Sequence, residues 1–276
     1  MMKILEDLER KIALGNITGN LGKVIEYDNM IVCYVSRKSL NKDLFLFNYN
    51  SGKNSRLAKK YDLDREIFYV FDGLEITHDI YGFDNVSVLF KNCKFFANRF
   101  VKVDGYLKIK NSNIETVLSM FIVADNILID GLDIPNLGIR KINFGARDVL
   151  EINDLTIGDN SNFLKNSNVS FCGKEVVLNN TSVKAVDITV SGDNLSISNS
   201  NLDGENVTLK VNVINDKKSE NIEDSFKVII NNDEITNKRI ELVRTLNSCC
   251  EKINNTSLKR ILKWGNLTKC YLYGRI

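Results

Sequence analysis

The chain has one histidine, His78, and one proline, Pro135, in 276 residues. A single imidazole excludes histidine-rich metal centres and leaves one residue that could act as a histidine base. Six cysteines are present (Cys33, Cys93, Cys172, Cys249, Cys250 and Cys270), with no C-x-x-C spacing. The adjacent Cys249-Cys250 pair would be strained if joined, so the set reads as reduced, small apolar residues. Apolar runs of membrane-spanning length are missing as well, and Glu6 and Asp7 interrupt the start before a signal-peptide core could form. The expectation is a cytoplasmic protein with no membrane contact, no metal and no cofactor.

What is present is a core's worth of apolar residues, 43% of the chain, enough to fold a domain of this length. Net charge is only +2, but it is unevenly placed. Residues 236–276 carry nine Lys or Arg against two acids, so the basic character is local to that segment.

The organising feature is a recurring row, apolar-x-apolar-x-[Asn/Asp/Gly]-x-x-apolar. Rows begin at Tyr69, Val88, Leu107, Ile127, Leu150, Val176, Leu195 and Val228. Their fifth positions are Gly73, Asn92, Asn111, Gly131, Asp154, Asn180, Asn199 and Asn232. Two apolar residues two apart point the same way from a strand. Asn, Asp and Gly are the residues that tolerate a left-handed backbone, so the fifth column predicts a corner. The alternation in Phe100–Val103, Ile142–Phe144 and Val186–Val190 supplies a third side. A coil of about twenty residues cannot bury its apolar face alone and must stack on its neighbours. An antiparallel all-β domain with frequent turns, or a pentapeptide-type solenoid, are the rival arrangements.

This row and its Asn-rich corner resemble the right-handed parallel β-helix of the pectin-lyase-like superfamily over about residues 66–235. The resemblance implies a stacked, three-faced solenoid with ladders of like residues, and it carries over no catalytic residue. The expected fold is therefore all-β dominated: a single-stranded parallel β-helix with an α/β N-terminal cap and a helical C-terminal cap. Residues 1–65 form the first cap, with a helix over 2–14, a hairpin of Val24–Tyr27 and Met30–Val35 about Asp28-Asn29, and a strand at Leu44–Tyr49. Residues 66–235 form the β-helix, interrupted by a charged surface insertion at Asn215–Ser225. Residues 236–276 form the second cap, with Ile240, Val243, Leu246, Cys250 and Ile253 on one helical stripe and a short helix at Ser257–Trp264. Gly52-Lys53 mimics a phosphate loop but lacks its upstream glycine, Phe47 standing there, and Asn54 replaces the magnesium-binding Ser or Thr.

Enzymes of the resembled superfamily act on acidic polysaccharides with carboxylates and basic residues on an exposed sheet face. Here the outward residue between each row's two apolar positions is Val70, Leu89, Lys108, Leu128, Glu151, Val177, Ser196 and Ile229. Most are apolar, which suits a face covered by the chain itself or by a partner protein. Leu89, Leu128 and Val177 are the candidate binding residues of that column. In the next outward column Lys110 and Asp130 are placed to pair across one coil. Lys108, Lys110, Asp130, Asp133, Glu151 and Asp154 form the one patch with chemical potential, and an enzyme would work through Lys108, Asp130 and Glu151. His78 reads as a surface or capping residue, with no nucleophile placed near it. The basic tail, with Lys259, Arg260, Lys263 and Trp264, mixes charge and aromatics as nucleic-acid binders do, or is the solvated face of a capping helix. The leading expectation is a non-catalytic intracellular macromolecule-binding or scaffold protein with another protein as partner. A carbohydrate-active enzyme and a nucleic-acid binder are the alternatives.

Overall fold

The computed structural model describes residues 23–27, 30–36, 43–47, 66–83, 86–96, 99–115, 119–135, 141–158, 167–214, 227–231, 234–235 and 238–245. The sequence-based helices over 2–14 and Ser257–Trp264, the Gly52-Lys53 pair, the insertion and the basic tail lie outside the described residues.

The alternating stretches on either side of Asp28-Asn29 form an antiparallel pair, β1 (Lys23–Tyr27) and β2 (Met30–Ser36), with Tyr27 opposite Met30. All other strand pairings among the described residues are parallel. After β3 (Leu44–Phe47), the strands β4 (Glu66–Asp72), β5 (Glu75–Ile76) and β6 (Ile80–Phe83) make one full coil. β7 (Ser87–Lys91) and β8 (Lys94–Phe96) begin the next. Three long ribbons follow, β9 (Arg99–Glu115), β10 (Ser119–Ile134) and β11 (Lys141–Ile157), each turning two corners. The remaining coils are β12 (Asn168–Cys172), β13 (Glu175–Gly192), β14 (Asn194–Ser198), β15 (Asn201–Ile214), β16 (Lys227–Asn231), β17 (Glu234–Ile235) and β18 (Lys238–Thr245).

The pairings sort into three parallel sheets, the geometry of a β-helix of about six turns. Sheet A stacks β2, β4, β7, the middles of β9, β10 and β11, the start of β13, then β14 and β16. Sheet B stacks β5, β8, the ends of β9, β10 and β11, the middle of β13, the start of β15, and β17. Sheet C stacks β3, β6, the starts of β9, β10 and β11, β12, the end of β13, the rest of β15, and β18.

The row register holds at every step. Tyr69 sits opposite Val88, Val88 opposite Leu107, Leu107 opposite Ile127, and Ile127 opposite Leu150. Leu150 continues to Val176, then Leu195, then Val228. The inward residues of the three sheets merge into one core whose aromatic members stack along the solenoid. Phe71 lies on Phe90 at 5.2 Å, and Phe144 on Phe171 at 5.3 Å with ring planes 3° apart. Burying one such ring contributes about 1.5–3 kcal/mol, and it needs neighbours above and below to do so.

The corner column between sheets A and B is left-handed wherever it is described. Asn92, Asn111, Asp154, Asn180 and Asn199 have φ between 46° and 56°, and Gly73 and Gly131 have φ 67° and 82°. At Gly131 the left-handed φ and a close neighbour coincide, because a Cβ there would meet Asn111 Oδ1 at 3.0 Å. The residue after the corner turns inward, and where it is small and polar it stitches two coils together. Ser112 Oγ accepts the Cys93 N–H at 3.1 Å and donates to the Lys110 carbonyl at 2.9 Å. Ser200 Oγ does the same for the Thr181 N–H, 3.2 Å, and the Ser198 carbonyl, 2.9 Å.

One expectation is corrected. The helical stripe read from Ile240 onward does not begin there, because residues 238–245 form β18, paired parallel with β15 from Val207–Lys238 to Ile214–Thr245. Ile240 and Leu242 are two apart, so the same eight residues fit both periods. The open edge of β15 offers them ladder hydrogen bonds, and that decides for strand.

Candidate functional site

The outward column of sheet A runs Tyr34, Val70, Leu89, Lys108, Leu128, Glu151, Val177, Ser196 in register. Its early coils are closed. Val70 and Leu89 point away from the solenoid core and yet are fully buried, in a second apolar cluster with Val32, Tyr34, Phe68 and Tyr106. The burial is that of a single chain, so the cover is intramolecular. Leu128 packs against the edge of this cluster and is half-buried, as are Glu151 and Val177. Leu89 is therefore a packing residue, and the accessible part of the column starts at Leu128.

Lys108 is 5% exposed, at the rim of the same cluster. It lies opposite Leu128, which lies opposite Glu151, so two coil steps of about 4.8 Å, roughly 10 Å, separate the backbones of the two charged residues. Asp130 stands in the next column, where Lys110 Nζ reaches its Oδ2 at 3.4 Å as the alternation requires. Both side chains are partly solvated, which limits that pair to at most about 1 kcal/mol.

Glu151 ends a chain of side-chain hydrogen bonds that the sequence reading missed. Ser198 Oγ donates to Asn179 Oδ1 at 3.2 Å, Asn179 Nδ2 to Asn153 Oδ1 at 3.4 Å, and Asn153 Nδ2 to Glu151 Oε1 at 3.1 Å. The signal for it was the run Asn153, Asn179, Ser198 in successive rows. Asp154 is at the left-handed corner and accepts from Asn180, and Asp133 is exposed on sheet B. The six-residue patch is thus spread over two sheets and a corner instead of converging on one point.

Sheet C carries an outer feature that the inward rows do not report. Phe45 stacks on Tyr81 at 5.1 Å, Tyr81 on Phe100 at 5.8 Å, and Phe100 lies 5.9 Å from Phe121, all on the outer surface. Lys141 Nζ closes the far end, 5.7 Å from the Phe121 ring centre. Phe83 lies beside Tyr81, with Lys102 Nζ 5.8 Å from its centre. Beneath the rings, Asp79 accepts from Tyr81 Oη at 3.1 Å and from the Phe100 N–H at 2.8 Å. Asp43 accepts the Asp79 N–H at 3.2 Å. Burial, together with Asp79 and Asp43, pushes the Tyr81 phenol up to about 12.

His78 is half-buried and shares a hydrogen bond with Thr77, Nδ1 to Oγ1, at 3.0 Å. Among the described residues no three His, Cys, Asp or Glu side chains gather closely enough to hold a metal ion. Lys259, Arg260, Lys263 and Trp264 lie outside the described residues.

No protein-family model, curated protein or solved structure matches this chain.

Proposed function

We propose that this chain is a non-catalytic, intracellular macromolecule-binding or scaffold protein, whose partner is another protein. The observation that carries the reading is the spacing of Lys108, Leu128 and Glu151. An acid and a base must both reach one reacting atom within about 3 Å. Here a leucine stands between the charged residues, Asp130 is held by Lys110, and Glu151 is bonded to Asn153. The buried free thiols Cys33, Cys93 and Cys172 fit a reducing compartment.

The partner surface is the accessible run of the sheet A column, with Leu128 and Val177 as its apolar members and the Ser198–Asn179–Asn153–Glu151 chain alongside. The C-terminal end also needs covering, since each of β16, β17 and β18 is paired along one edge only among the described residues. In this reading residues 246–276 supply that cap, helical over Ser257–Trp264, and the helix over 2–14 belongs to the cap at the other end.

The test is affinity capture from the native cell with the wild-type chain and with Val177→Asp, each first shown to be folded by circular dichroism. The expected result is a partner retained by the wild type and lost by the variant. An identical captured set for both proteins rejects the sheet A surface, and capture of nothing by either rejects the scaffold reading.

A further inference from the structure

We propose that Phe45 and Asp43 form a docking point for a cationic side chain, arginine or lysine, carried by a basic segment of a partner protein. The inference deepens the protein-binding reading and rests on it, but it concerns a different sheet.

The argument starts from the two ends of the aromatic stack. At the far end the last ring, Phe121, is covered by the Lys141 ammonium, and Phe83 is covered in the same way by Lys102. Both rings also lie against other rings, Phe121 against Phe100 and Phe83 against Tyr81 and, at 6.5 Å, Phe45. Phe45 itself has no cation over it among the described residues. Tyr81 covers one of its faces, and the residue is still 54% exposed, the one large hydrophobic residue exposed to that degree among the described residues. Its uncovered area is aromatic surface whose quadrupole attracts positive charge.

The polar groups around it select the same ligand. Asp43 lies two residues before Phe45, hence on the same side of the chain, and it is exposed. Asp79 lies behind it, joined through its own N–H to the Asp43 carboxylate. Carboxylates accept hydrogen bonds and donate none, so they suit guanidinium or ammonium and oppose phosphate. The phenol of Tyr81 feels this negative field, which helps hold it neutral well above the ordinary tyrosine range. The chain as a whole is close to neutral, at +2, so the selection is local and rests on the Asp43 and Asp79 carboxylates beside the ring. Aromatic face and adjacent carboxylate together recognise a cation, and arginine meets both through a planar group that stacks and donates at once.

The test uses the full-length chain and a fluorescent acetylated tetra-arginine peptide at low salt, followed by anisotropy. Three variants at this point and one elsewhere separate the contributions. Phe45→Leu keeps apolar area and every charge but removes the ring; it should weaken binding by about two- to fivefold. Phe45→Trp should hold or strengthen it, and Asp43→Asn should weaken it. Asp203→Asn, which removes one negative charge from a different sheet, should leave it unchanged. A tetra-glutamine peptide should not bind. Equal affinity for wild type and Phe45→Leu overturns the proposal, as does equal binding of the glutamine peptide, or displacement of the arginine peptide by a neutral oligosaccharide. Should Phe45→Leu fail to fold, the Trp and Asp43 variants decide by the same criteria. Failure here leaves the Val177-dependent capture untouched, so the two readings fall separately.

Discussion

Asn180 donates its side-chain amide to the carboxylate of Asp154 on the preceding coil, although both backbones are bent into the left-handed region, at φ 51° and 56°. At this step the corner thus performs two tasks: it turns the chain and it ties one turn to the next. A residue with a Cβ resists that backbone by roughly 1–2 kcal/mol, less for Asn, and Gly does not resist it. Asn180→Gly should therefore lose only the side-chain bond, less than about 1 kcal/mol for so exposed a pair. Asn180→Ala loses the bond and adds the backbone conflict, so it should cost about 1 kcal/mol more than the glycine variant. Urea denaturation of the two variants measures the difference, and equal midpoints would show that the corner is not backbone-limited.

The inward seryl residues after the corners give a second prediction. Ser112 Oγ takes the buried Cys93 N–H and returns its own proton to the Lys110 carbonyl. Ser112→Ala leaves that N–H without an acceptor in a closed interior, which should cost about 1–3 kcal/mol. Ser112→Thr should be tolerated, since Thr181 fills an equivalent position and bonds the Asn179 carbonyl at 3.3 Å. Thermal melts of the two variants check this, and a threonine variant as unstable as the alanine one would remove the equivalence.

Two residues of one column should respond in opposite ways to the same substitution. Leu89→Asp places a carboxylate in a fully buried cluster, with the nearly buried Lys108 opposite on the next coil; even paired, desolvating the new charge should prevent folding or lower stability by several kcal/mol. Val177→Asp, four coils on and half-buried, should change stability by less than about 1 kcal/mol. Circular dichroism with denaturation separates them, and a folded, stable Leu89→Asp would mean that the early column is open.

The contrast between those residues also marks what could be read from the chain alone. Strand period, corner position and stacking register were legible because each is set locally: an inward residue such as Phe90 must be apolar, and Asn92 two places on must bend left-handed. That constraint repeats, so eight weak signals fix one register. The burial of Leu89 is not local, since it depends on which segment lies over sheet A, and no periodicity reports that. The aromatic stack on sheet C escaped for a related reason. Tyr81, Phe100 and Phe121 keep the coil step, 19 and 21 residues apart, but Phe45 lies 36 before Tyr81, and the rows were set by inward residues. Each of the four stands next to such an inward residue, Leu46, Ile80, Val101 or Ile122. Residues 238–245 misled for the opposite reason, being short enough to satisfy two periods at once.

Three thiols give a prediction about alkaline pH. Burial pushes Cys33 and Cys93 up to about 12 and Cys172 up to about 11, from an ordinary 9.0. A thiol whose folded-state value is raised stays protonated in the folded chain while its unfolded counterpart ionises. The unfolded state then binds fewer protons, so stability falls as pH rises from about 9 toward those values, and it is unaffected by these groups below 9. Each thiol contributes at most about 1.4 kcal/mol of loss per pH unit in that window. Lysines and tyrosines titrate there too, so the decisive quantity is a difference. The gap in stability between wild type and Cys93→Ala should be constant from pH 7 to 8.5 and should narrow by pH 10.5. In the folded protein at pH 8, Cys33, Cys93 and Cys172 should also resist alkylation by iodoacetamide, read by mass spectrometry of the labelled peptides. Rapid labelling of Cys93 without unfolding, or a gap that does not change with pH, would show that this thiol is not held neutral by the core.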